Sequence, residues 1–72
     1  MSEMKKRILQ FIKDYISQHG YAPTVREIGS GVGLLSSSSV YHHLEMLLDA
    51  GELETDHPGA PRALRLPKRN EE

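Results

Sequence analysis

The chain has 72 residues, a formal net charge of −1 and no cysteine. At this length only about 60% of the unfolded chain's surface is buried on folding, which limits the chain to one small domain with a thin core. The absence of cysteine excludes disulfides, thiolate metal sites and a cysteine nucleophile. No apolar run approaches the roughly 20 residues of a membrane span, and no signal-peptide pattern opens the chain. We therefore expect a soluble, cytoplasmic protein with no membrane partner.

Apolar residues near the N-terminus recur with helical periodicity and predict a first helix from about Glu3 to Gln18. Gly20 ends this helix, and an extended link leads to Pro23, because the residue before proline is disfavoured in the helical region. The predicted buried face consists of Met4, Ile8, Phe11, Ile12, Tyr15 and Ile16.

A capping box over Thr24-Val25-Arg26-Glu27 predicts that a second, short helix starts at Thr24. Its inward-facing residues are predicted to be Val25, Ile28 and Val32. Gly29 is interpreted as a point of close approach between helices. A glycine-containing turn after this helix leads to a third helix, which is the helix-turn-helix arrangement.

The third helix is predicted to span Ser37 to Ala50, with the serines before Val40 able to cap it and Gly51 ending it. Its buried stripe is predicted to be Val40, Leu44, Leu47 and Leu48. The opposite face collects Ser38, Tyr41, His42, Glu45 and Asp49. Hydroxyls, an aromatic ring and an imidazole at its N-terminal end are unusual for a purely solvated face. We interpret this helix as one that contacts DNA bases.

After Gly51 the pattern alternates with a period of two, first over 52–55 and again over 62–66. These segments predict a β-hairpin with a loop of about six turn-forming residues, packed on the helices through Leu53, Leu64 and Leu66. The predicted fold class is mainly α (α+β), a three-helix winged helix-turn-helix with a C-terminal two-stranded β-hairpin wing. We assign residues 1–67 to this DNA-binding domain and residues 68–72 to a disordered polar tail.

A long set of residues at matching spacing resembles the N-terminal DNA-binding domain of LexA repressors, most closely those of Gram-positive bacteria. The set comprises residues 20–29, Val32-Gly33-Leu34, Ser37-Ser38-Ser39-Val40, His43-Leu44, Leu47, Gly51 and Pro61-Arg62-Ala63. The resemblance covers about Lys5 to Leu66. It implies that the third helix lies in the major groove and that the wing reaches the backbone or minor groove beside it. By position, it also implies that Ser36, Ser38, Ser39, Tyr41 and His42 face base edges and phosphates.

The sequence departs from this family in three ways. Family members tend to be basic where this chain has Glu54-Thr55, and Tyr41 and His42 replace the usual pair, so the operator sequence is not transferred. LexA repressors also continue into a self-cleaving peptidase domain that supplies the dimer. Because the sequence stops at Glu72, we expect no self-cleavage here, and a homodimer on a two-fold operator needs another surface.

The predicted DNA-binding residues come from the second helix, the third helix and the wing: Thr24, Arg26, Ser36, Ser37, Ser38, Ser39, Tyr41, His42, Arg62 and Arg65. Arg26 is predicted to contact a phosphate, because the helix before the recognition helix crosses the backbone in this motif. Its alternative role is a surface ion pair. Tyr41 either contacts DNA or covers apolar surface, and the two wing arginines either contact DNA or are solvated. The acidic run from Glu45 to Asp56 is predicted to be a solvated face turned away from the duplex.

Catalysis and metal binding find no support in the sequence. His42 and His43 point about 100° apart on a helix and lack a third ligand at suitable spacing, so His43 is predicted to be a packed structural histidine. No nucleophile–base pair or paired carboxylates occur at catalytic spacing, and so small a domain leaves little room for a ligand-sized cavity. We expect no enzymatic activity, no metal, no cofactor and no small-molecule ligand.

Three functional hypotheses follow. The first is a sequence-specific double-stranded DNA-binding transcriptional regulator of the repressor type. The second, motivated by the negative net charge and the acidic run, is a winged-helix module that binds another regulator protein. In the third, the chain is the excised DNA-binding head of a longer, self-cleaving LexA repressor.

Overall fold

The computed structural model describes residues 3–55 and 63–67. Three helices are followed by a two-stranded antiparallel sheet: α1 (Glu3–His19), α2 (Val25–Val32), α3 (Ser37–Asp49), β1 (Glu54–Thr55) and β2 (Leu64–Arg65). Glu54 pairs with Arg65 and Thr55 with Leu64. This order confirms the predicted winged helix-turn-helix. The predicted loop, Arg62 and the predicted tail at 68–72 lie outside the described residues.

The core lies where the three helices meet, and each helix packs against the other two. Its buried members are Ile8, Leu9, Ile12, Ile28, Val32, Val40, Leu44, Leu47 and Leu53. Leu9 was not among the residues predicted to be buried. It is buried because α1 contacts both α2 and α3, so the arc of α1 that is covered is wider than one apolar stripe. Four α1 residues that were predicted to be buried are only half-buried: Met4, Phe11, Tyr15 and Ile16.

The capping box at the start of α2 is present in the structure. The Glu27 backbone N–H donates to Thr24 Oγ1 at 3.1 Å, and the Thr24 N–H donates to Glu27 Oε1 at 2.8 Å. Thr24 is the N-cap residue, so the helix proper begins at Val25. At the other end Gly33 adopts a left-handed conformation with φ of 83°, which turns the chain toward α3.

Gly29 brings α2 into close contact with α3, as its small size predicted. A Cβ atom at this position would lie 3.1 Å from the Leu34 carbonyl oxygen and 3.3 Å from Val40 Cγ2. A Cβ at Gly31 would lie 2.6 Å from Cζ of the Phe11 ring, so the Phe11 side chain of α1 is even closer on the other side. The two glycines therefore let a short helix, poor in intrinsic helix propensity, fit between its neighbours.

Within residues 3–55 and 63–67, the strands comprise two residues each, fewer than the sequence alternation predicted there. Glu52 and Leu53, predicted to belong to the first strand, instead donate their N–H groups to the Leu47 carbonyl at 2.9 and 3.3 Å. These bonds close the C-terminal turn of α3 and hold Leu53 in the core. Leu64 and Leu66 pack against the same core, which confirms how the hairpin was expected to be held.

Candidate nucleic-acid interface

The outer face of α3 is open to solvent along its whole length. Ser38, Tyr41, His42, Glu45 and Asp49 are all exposed, and none of them packs into the protein's core. The helix is held from behind by Val40, Leu44 and Leu47. The division into a buried and a bare side, predicted from the spacing, is confirmed. We call the five exposed residues the outer stripe of α3.

The N-terminus of α3 differs from the expected serine cap. Ser36 is the N-cap residue in an extended conformation, but its side chain makes no capping hydrogen bond. Ser36, Ser37 and Ser38 are exposed, and Ser39 is half-buried. The first N–H groups of a helix have no partner within the helix, and the helix dipole makes this end favourable for anions. Exposed hydroxyls and N–H groups at one helix end are suited to meeting phosphate oxygens.

The two histidines of α3 have different surroundings. His43 is half-buried, and its Nδ1 lies 2.8 Å from the Ser39 carbonyl oxygen, one turn earlier. Since a carbonyl only accepts, Nδ1 carries the proton and donates. This confirms His43 as a packed structural histidine. His42 is exposed, and its ring centroid is 5.8 Å from that of His43.

An open groove separates the start of α3 from α2, with a volume of about 640 Å³. Arg26, Ser37 and Tyr41 lie on its walls, so the structure brings a predicted phosphate contact beside two predicted α3 contacts. Leu35 also lines this groove, and its side chain is fully exposed. The sequence did not indicate this residue as a site residue, because it lies in the predicted turn before α3. The sequence predicted little room for a ligand-sized cavity. The groove is open to solvent along the edge of α3, so it is a surface concavity and not an enclosed cavity.

Arg26 and Thr24 are placed differently at the start of α2. Arg26 is exposed, and within residues 3–55 and 63–67 no carboxylate pairs with it. The ion-pair alternative for Arg26 is therefore not realised in the described part of the chain. The half-buried Thr24 hydroxyl accepts the capping bond from Glu27, which leaves its own O–H able to donate to an oxygen outside the helix.

The wing contributes one described arginine. Arg65 Nη1 lies 3.1 Å from Glu54 Oε1 across the strand pair, with the two side chains 50% and 43% exposed. Sequence reasoning did not anticipate this cross-strand pair, although opposite charges on facing strand positions are a common source of one. A pair this exposed contributes only about 0–1 kcal/mol, so a phosphate can compete for the guanidinium. The second wing arginine, Arg62, lies outside the described residues.

The acidic run does not form a face of its own. Glu45 and Asp49 lie on the outer stripe with Ser38 and His42, whereas Glu54 is in the wing. The expectation that these residues are solvated is confirmed for Glu45 and Asp49, which are exposed but share one side of α3 with Ser38 and His42. Helical periodicity is the reason, because residues three, four and seven apart share a side. α3 itself contains no lysine or arginine.

The profile of one protein family, the LexA DNA-binding domain, matches residues 1–63. The chain belongs to the LexA DNA-binding domain family. It is 50% identical over 66 residues to the LexA repressor of Carboxydothermus hydrogenoformans, covering 92% of this chain and 32% of that protein. It is 57% identical over 61 residues to the LexA repressor of Lacticaseibacillus casei, covering 85% of this chain and 29% of that protein. The LexA repressor of Nocardioides sp. is 48% identical over 66 residues, covering 92% of this chain and 26% of the relative.

The LexA family match decides between the two main hypotheses in favour of DNA binding over a protein-binding module. The chain spans between a quarter and a third of the length of these relatives. Within residues 3–55 and 63–67, no helix has the length and apolarity that a membrane crossing requires.

Proposed function

We propose that this LexA-type domain binds double-stranded DNA sequence-specifically and acts as a repressor-type transcriptional regulator, with the N-terminal half of α3 in the major groove. The observation that carries the proposal is the bare outer stripe of α3, which begins at an uncapped, serine-lined helix end. In helix-turn-helix proteins the N-terminal residues of this helix contact base edges.

The proposed contacts fall into two groups. Ser38, Tyr41 and His42 project from the outer stripe toward base edges, where hydroxyl and imidazole groups have donors and acceptors to meet. Phosphate contacts position the protein without specifying sequence, and we assign them to the remaining predicted residues: Thr24, Arg26, Ser36, Ser37, Ser39, Arg62 and Arg65.

The charge of the chain supports binding as a dimer. With a net charge of −1 and no lysine or arginine on α3, one copy neutralises few phosphates, so the affinity of a single domain for DNA is modest. Two copies on a two-fold site would double the contacts, as helix-turn-helix proteins commonly do. Residues 1–67 are the proposed binding unit.

The test is a selection from a randomised duplex pool, followed by fluorescence anisotropy titration of the selected and scrambled duplexes. We expect the selected duplex to bind at least tenfold more tightly, with an affinity that falls as salt rises. Equal affinity of a folded sample for both duplexes at low salt would refute sequence-specific binding. Sedimentation of the protein with and without the selected duplex measures how many copies bind, and two copies per two-fold site are expected.

A further inference from the structure

Glu45 lies on the outer stripe of α3, one helical turn beyond the residues proposed to contact bases. Seven residues separate it from Ser38, which places the two side chains within about 20° of each other around the helix and about 10 Å apart along it. That separation corresponds to about three base pairs of a duplex. A docking that presents Ser38 and His42 to the groove floor therefore presents Glu45 as well.

Glu45 is available for such a contact. Its side chain is exposed, and within the described ranges 3–55 and 63–67 neither a hydrogen bond nor an ion pair engages it. It stands one turn past Tyr41 and His42, just beyond the midpoint of α3. Asp49 lies one further turn away from the N-terminal end.

A carboxylate is only a hydrogen-bond acceptor, which restricts the base it tolerates. Guanine presents the acceptors N7 and O6 in the major groove, and thymine presents O4, so both repel it. Adenine offers the N6 amino donor, but the N7 acceptor beside it repels a carboxylate. Cytosine offers the N4 amino donor with no acceptor of its own beside it.

We propose that Glu45 is a specificity-determining residue of this domain, accepting a hydrogen bond from the N4 amino group of a cytosine in the major groove. The inference rests on the proposed function, since it requires α3 to lie in that groove. Glu45 selects in two ways, by attraction to one amino group and by repulsion of the acceptors on other bases.

The experiment uses the full chain and the duplex selected from the random pool. At each cytosine that the selection favours, four duplexes are made that differ only in that base pair. Anisotropy titrations compare the wild type with Glu45→Ala and Glu45→Gln. Asp49→Ala is the matched control, because it removes an equal charge from the same stripe one turn further on.

We expect the wild type to prefer cytosine at one position by roughly tenfold. Glu45→Ala should abolish this preference, with weaker binding to the cytosine duplex and tighter binding to the other three. Replacing that cytosine with 2-pyrimidinone, which lacks the amino group, should weaken binding by the wild type more than binding by Glu45→Ala. Asp49→Ala should keep the preference.

Glu45→Ala binding all four duplexes more tightly by the same factor would overturn the proposal, because Glu45 would then only repel phosphates. An unchanged base preference in Glu45→Ala would overturn it as well. If the wild type selects no sequence at all, the proposed function itself fails. Selection by the wild type that is insensitive to Glu45 removes only this inference.

Discussion

Replacing both Ser38 and His42 with alanine tests the proposed base contacts most directly. Both side chains are exposed, and neither packs into the core. Surface substitutions of this kind change stability by only about 0.5 kcal/mol, and alanine favours the helix. The double variant should therefore fold like the wild type, with a far-ultraviolet circular dichroism spectrum and melting temperature close to those of the unmodified chain.

The affinity of this variant for DNA should fall substantially. A base contact is worth about 1–3 kcal/mol, and 1.4 kcal/mol is a factor of ten, so each lost contact weakens binding by roughly 5- to 140-fold. The two residues are one helical turn apart, so their effects need not add. Anisotropy titration on the selected duplex measures the loss, and a scrambled duplex should show a much smaller one.

Ser17→Ala is the matched control, since it removes an exposed serine from α1 and not from α3. Its affinity for the selected duplex should equal that of the wild type. The reasoning is refuted if the folded double variant binds the selected duplex as tightly as the wild type. Equal losses on the selected and scrambled duplexes would show instead that the two side chains contact phosphates.

Three further predictions concern the proposed phosphate contact of Arg26, the hydrophobic core and the capping box of α2. Arg26→Ala should weaken binding to every duplex alike and reduce the slope of log affinity against log salt by about one, measured by titration at several salt concentrations; an unchanged slope would remove it from the phosphate contacts. Leu44→Ala should lower the free energy of unfolding by about 2–5 kcal/mol out of about 5–15, measured by urea denaturation, because Leu44 is only 4% exposed. Met46→Ala, at a 40% exposed neighbour, should cost far less, and similar losses for both would contradict this view of the core. Thr24→Ala should cost about 1 kcal/mol in the same assay by removing the capping box, whereas no loss would mean that α2 does not depend on it.

Local sequence patterns predicted where the helices lie and which of their faces are buried. The start of α2 was predictable from the capping box, because that motif satisfies its hydrogen bonds within four consecutive residues. The bare and buried sides of α3 were predictable from spacing alone, since the 3.6-residue period fixes which side chains share a direction. The same pattern identified His43 as structural and His42 as exposed.

Features that depend on neighbouring elements were harder to predict. Leu9 is buried because two helices cover α1 from different sides, which no single stripe can reveal. The cross-strand pair of Arg65 and Glu54 depends on the register of the hairpin, and that register is set by packing and by the loop. Serine before a helix favours capping, but Ser36 does not make the bond.

The net charge of the chain was a poor guide to the surface that α3 presents. An overall charge of −1 and a row of acidic residues suggested a surface kept apart from nucleic acid. The structure places Glu45 and Asp49 on the outer stripe and Glu54 in the wing, so the sign of the total charge says little about what one face recognises. The type of hydrogen-bonding group at each turn of α3 is the more informative property.

The tight fit at Gly29 has a mechanical consequence. Because a methyl group at this position would lie 3.1 Å from the Leu34 carbonyl oxygen and 3.3 Å from Val40 Cγ2, α3 or the turn before it would have to shift by a few tenths of an ångström to accept one. A substitution at position 29 therefore acts on the spacing between α2 and α3, and its first effect is on how closely these two helices pack.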